Sequence, residues 1–296
     1  MLHLLALAGV VSISFSAVFV RLASVSPVTA TFYRAAYAVP VLAVLWAVTR
    51  SRYRRPPRAR LLAFVGGTAL ALDLAFWHQS IALIGAGLAT VIANVQIVFV
   101  AAAAWLSGER LAPRTLGVIA AVLLGIVLTS GLARHDAYGT APALGVVFGV
   151  IAGGCYAGFL LMFRTANRSL APTAGPLLDA TIGTAVGALL FAPFDQRFML
   201  TPVWPAHGWL VLLALVAQVI GWLCIATALP RLPAVETSVL LLVQPVFALW
   251  WGRLLFAEHL SPLQWGGIVM VLAGVGSISI SRSTVGAYAA QVEIES

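Results

Sequence analysis

The chain contains no lysine. All 17 of its basic residues are arginine, set against nine acids, for a net charge of +8. Charge of either sign is scarce, at 9% of 296 residues, while 61% are hydrophobic. A soluble domain needs a polar exterior, and this composition cannot supply one. Cysteine is scarce too: Cys155 and Cys224 lie in apolar runs without metal-ligand spacing, read as small core residues, and support neither a metal site nor a disulfide. HExxH and GxSxG are missing, and no Ser/His or paired-carboxylate arrangement stands out, so an intramembrane enzyme is a distant alternative and no cofactor is expected. No ring of charges suggests a channel.

What is present is a succession of apolar runs, each of about 20 residues, long enough to cross the hydrocarbon of a bilayer. They fall near 3–22, 28–49, 61–83, 87–107, 114–131, 142–164, 172–193, 207–229, 233–256 and 262–281. The expected fold is an all-α polytopic membrane protein of ten transmembrane helices, with no room for a separate soluble domain. The first run has no basic segment before it and no small-residue cleavage site, so it reads as a helix rather than a signal peptide. Loop two, RSRYRRPPRAR, carries Arg50, Arg52, Arg54, Arg55, Arg58 and Arg60. Such a cluster in a short loop between spans follows the positive-inside rule, and no nucleic-acid partner is expected. With that loop in the cytoplasm of an inner-membrane protein, twelve arginines lie inside and five outside, and both termini are cytoplasmic.

The chain also repeats itself. Glu109, Leu111, Pro113, Gly117 and Gly125 recur 149 residues later as Glu258, Leu260, Pro262, Gly266 and Gly274. Gln96 and Gln244 differ by 148, Arg21 and Arg164 by 143, and Trp77 and Trp222 by 145. The units are a first five-helix repeat at 1–135, a second at 136–283 and a cytoplasmic tail at 284–296. Five is odd, so the second repeat enters the membrane upside down, the arrangement of secondary transporters that bind substrate between inverted repeats.

Two Gln-containing spans, each followed by Glu-x-Leu-x-Pro and a Gly-rich helix, resemble the EamA repeats of the drug/metabolite transporter superfamily. Within it the length and polar, aromatic interior are similar to the YddG-type amino-acid exporters. Two positions depart from the family pattern: Gln96-Ile97 stands where the second copy has Gln244-Pro245, and Phe15 replaces a first-span Trp.

Polar residues at mid-span mark the candidate site, because a buried amide or charge is costly without a partner. The candidate substrate-binding residues are Trp77, His78, Asn94, Gln96, Tyr156, Trp222 and Gln244, with Trp77 and Trp222 flanking a central cavity as aromatic lids. Asp73, Arg34, Asp179 and Glu236 are candidates for coupling or charge pairing. Glu109, Pro113, Glu258 and Pro262 form a structural motif: each Pro opens a helix, Ser261 and Gln264 can form a capping box, and each Glu is expected to accept from backbone N–H groups at that same helix start. The glycines of spans five and ten are expected to pack closely. Together these features point to a secondary transporter exporting small metabolites, above all neutral or aromatic amino acids, by alternating access. A lipophilic-cation exporter on the same fold is the alternative. The expected partners are a small-molecule substrate and the lipid bilayer, for a monomer or homodimer.

Overall fold

A computed structural model of the chain describes residues 2–49, 55–108, 113–129, 137–166, 173–228 and 234–274. Among these, all regular structure is helical, in ten units. They are α1 (Leu2–Ala23), α2 (Pro27–Thr49), α3 (Pro57–Ile84), α4 (Ala86–Leu106) and α5 (Pro113–Thr129), then α6 (Pro142–Ala166), α7 (Ala174–Phe194), α8 (Ala206–Ala228), α9 (Ala234–Phe256) and α10 (Pro262–Gly274). Proline opens α2, α3, α5, α6 and α10, where its fixed φ suits the first turn and its missing N–H costs nothing. Large apolar side chains point outward along the helices, Val48 at 79% exposure and Leu106 at 78% among them, as lipid-facing surfaces require.

Four spans depart from a uniform α-helix, α7 by ending in a 3₁₀ turn at Ala192–Phe194. α1 is interrupted at Phe15 and α4 at Asn94 and Val95. At the second break Asn94 Nδ2 donates to the Thr90 carbonyl oxygen at 2.8 Å, while the Asn94 and Val95 amides bond three residues back instead of four. The side chain competes with the backbone for its acceptor and tightens the turn. Pro245 removes one backbone N–H from the equivalent part of α9, yet that helix runs through it. The irregularity falls on the repeat that lacks the proline. In α8, Leu213–Gly221 is π-helical, a local widening found often at functional sites.

The helices form two groups, each drawn from both halves of the chain. α3 and α4 pack on α6, while α1 packs on α8 and α9; α2 packs on α7 and on the wide segment of α8. Shifting each helix by five places converts one group into the other. α3 and α7 meet backbone to backbone: a Cβ at Gly67 would lie 1.9 Å from the Ala180 oxygen, and one at Gly183 would lie 2.0 Å from the Phe64 oxygen. Thr184 Oγ1 donates to the Gly67 carbonyl there at 3.0 Å.

Candidate functional site

Arg34 of α2 is 3% exposed and lies at the centre of the bundle. Its Nε donates to Gln218 Oε1 at 2.8 Å, and its Nη1 donates to Ser16 Oγ at 3.1 Å. Gln218 Nε2 in turn donates to Thr181 Oγ1 at 3.1 Å. Four helices, α1, α2, α7 and α8, thus hold one guanidinium through neutral acceptors. Asp73 of α3, 7% exposed, lies near Arg34, Tyr156 and Cys155, but among the described residues it forms no direct ion pair and accepts no hydrogen bond.

Aromatic rings stand beside this pair. Tyr156 and Phe159 of α6 stack at 5.9 Å, and Trp222 of α8 meets Phe159 edge-on at 5.6 Å and Tyr156 at 6.4 Å. Trp77 lies 5.4 Å from the neighbouring His78 ring. Across the bundle, Phe15 stacks on Trp251 at 4.5 Å, and Trp251 Nε1 donates to Ser14 Oγ at 3.0 Å. His78 is 2% exposed; its Nδ1 lies 3.2 Å from the Pro27 carbonyl oxygen and 3.3 Å from Thr31 Oγ1. A carbonyl only accepts, so Nδ1 carries the proton and Nε2 is left as a buried acceptor without a partner among the described residues. Gln96 Oε1 is unpartnered in the same way, Gln244 is half-buried on α9, and Asn94 spends its amide on its own helix.

A cavity of about 1130 Å³ opens on the face opposite loop two. Its polar lining includes Arg21, His78, Gln79, Tyr138, Asp195 and Arg197, and its apolar lining includes Phe76, Phe148, Phe191 and Phe194. Among the predicted site residues whose side chains are described, only His78 reaches it. Tyr156 lies near Arg34 and Asp73, Trp77 and Trp222 belong to α3 and α8, and Asn94, Gln96 and Gln244 lie on α4 and α9.

Asp179 belongs to neither place. It accepts from Arg55 Nη1 at 2.6 Å, with Arg60 Nε at 3.5 Å, and ties α7 to the arginine loop. Glu109 and the side chain of Glu236 lie outside the described residues.

The Glu-x-Leu-x-Pro element requires a correction. Glu258 does not serve the helix that follows it. Its Oε1 accepts from the Ala86 amide at 2.7 Å and also from Arg21, and its Oε2 accepts from the Gly87 amide at 3.2 Å. It therefore caps the start of α4, in the other half of the chain. The reason is local: Ser261 and Gln264 already close the α10 start, Gln264 N donating to Ser261 Oγ at 3.3 Å and Ser261 N to Gln264 Oε1 at 3.1 Å. The carboxylate turns instead into a cradle of glycines. A Cβ at Gly85 would lie 2.6 Å from it, and one at Gly252 2.3 Å. Gly85 also turns the chain from α3 into α4 at φ +84°, a conformation other residues rarely adopt.

Gln218, Thr181 and the partnership of Arg21 with Glu258 escaped the sequence reading. For Gln218 the signal was available: one amide within LALVAQVIG, at mid-span. The other two depend on which helices become neighbours, and spacing along the chain does not carry that.

Ten apolar helices in two matched halves around a buried polar centre define a multi-pass membrane protein of transporter architecture. The model of the EamA-like transporter family matches residues 1–131 and again 143–280, and the chain belongs to that family. The "Uncharacterized transporter YwfM" of Bacillus subtilis (strain 168) is 28% identical over 150 residues, 49% of this chain and 47% of that protein. The match thus spans about half the length of that relative. A solved structure described only as "Crystal structure of protein" is similar over 93% of this chain and 96% of that one, with a TM-score of 0.63 at 17% identity, a likeness of fold alone.

Proposed function

We propose that this transporter exports neutral or aromatic amino acids by alternating access of its two inverted repeats around the Arg34–Asp73 centre. The observation that carries the reading is Arg34 itself. A guanidinium at that depth is costly, and four helices orient it through uncharged groups rather than cancel it with a direct ion pair. The rings of Tyr156, Trp222 and Trp77 offer an apolar or aromatic side chain a matching surface nearby. By the positive-inside rule loop two is cytoplasmic and both termini are inside. The large cavity then faces outward.

The test is counterflow in proteoliposomes with radiolabelled threonine, methionine and phenylalanine, with and without a pH gradient. Saturable flux that other neutral amino acids compete away is the expected result, and the gradient separates uniport from proton coupling. Flux of tetraphenylphosphonium with none of any amino acid would move the function to lipophilic-cation export.

A further inference from the structure

We propose that Arg34 and Asp73 together form a clamp for the two charges of an α-amino acid, Arg34 taking the carboxylate and Asp73 the ammonium. This rests on the amino-acid reading above and specifies how the ligand is held.

Asp73 is unusual among the acids whose side chains are described. Glu258 is bonded to Arg21 and two amides, Asp179 to Arg55, and Asp195 to the amides of Val28 and Arg197. Among the described residues Asp73 accepts from no donor, although it is buried. The nearby cation, Arg34, is turned toward Ser16 and Gln218 instead. Helix register puts the two charges at one level. α2 and α3 run antiparallel with Thr31 against His78. Arg34 is three residues beyond that contact and Asp73 five, a difference in depth of about 3 Å at 1.5 Å per residue.

Two opposite charges that face one site without pairing directly select by charge number. The site is neutral overall, so a ligand with one charge of each sign completes both partners. A lone cation leaves Arg34 unmatched and a lone anion leaves Asp73 unmatched, each a buried charge without a counterion. Tyr156 lies near both groups and joins the Phe159–Trp222 cluster. The ligand's side chain therefore meets aromatic rings, and the substrate class is the zwitterion with an uncharged, apolar or aromatic side chain.

The experiment uses the wild-type protein in proteoliposomes, with counterflow of radiolabelled phenylalanine and three unlabelled competitors. Phenylalanine keeps both charges, phenylalanine amide keeps only the ammonium, and 3-phenylpropionate keeps only the carboxylate. Each single-charge analogue is expected to compete about 30-fold less well or worse, the loss typical of removing one partner from a buried charge pair. Amino-acid flux against which either analogue competes as well as phenylalanine overturns the clamp and leaves the exporter reading in place. Flux of tetraphenylphosphonium alone overturns both. Variants that retain flux add a direction: Arg34→Gln shifts preference toward the amide and Asp73→Asn toward 3-phenylpropionate, and unchanged preference in both overturns the assignment.

Discussion

A carboxylate buried at 3% exposure needs several donors to be tolerable, and Glu258 has three. Two are first-turn amides of α4, where an acid also meets the positive end of the helix dipole. Hydrogen bonds to a charged group contribute roughly 1.5–3 kcal/mol each. Glu258→Ala removes all three and leaves the Arg21 charge, among the described residues, with the face of Phe256, 4.2 Å away. Thermal unfolding of the purified variant should show a loss of about 3 kcal/mol or more, and Glu258→Gln a smaller one because it keeps an acceptor. A melting temperature unchanged in Glu258→Ala would mean that water replaces the carboxylate at no cost. The partner of this residue was not legible in the sequence. The repeat exposed the motif and the Pro exposed the helix start. Which helix the acid serves was set by Gly85 at the α3–α4 turn, Gly87 of α4 and Gly252 of α9, which converge only in the fold.

At the scale of elements the sequence was far more readable. The ten spans lie within a few residues of their expected ends over the described residues, because apolar length and opening prolines are local signals. The breaks were less legible: Asn94 disrupts α4 through a side-chain bond, whereas Pro245 leaves α9 continuous. The glycines of α5 and α10 separate into two kinds. A Cβ at Gly125 would lie 2.7 Å from the Gly267 oxygen and one at Gly274 2.5 Å from Val122 Cγ2, while Gly117 and Gly266 face open space. Spacing had grouped all four as packing residues. Gly125→Leu should therefore destabilise the folded protein by about 1–3 kcal/mol through overpacking. Gly117→Leu should stay within about 0.5 kcal/mol of wild type. Monodispersity and melting temperature in detergent measure both, and equal losses from the two would mean that Gly117 is covered by something outside the described residues.

For the whole molecule, the packing partners define which parts can move as units. α1, α8 and α9 form one group, and α3, α4 and α6 the other; α4 and α9 also pack on each other across the groups, and the cap from Glu258 to α4 bridges them on the face opposite loop two. Rocking of one group against the other is the motion that alternating access requires. A cross-link within a group should leave it possible, and a cross-link between groups should stop it. The structure supplies both pairs. A Cβ at Gly9 of α1 would lie 2.8 Å from Cys224 Cβ of α8, so Gly9→Cys can reach the native thiol after a shift of about 1 Å toward ordinary disulfide spacing. A Cβ at Gly87 of α4 would lie 2.8 Å from Leu249 Cα of α9, which places Gly87→Cys and Leu249→Cys across the two groups. In a Cys155→Ser background, with Cys224→Ser added for the second pair, oxidation should spare counterflow in the first and abolish it in the second, and reductant should restore it. Arrest by the α1–α8 link with free transport through the α4–α9 link would mean that the moving bodies are divided along another line.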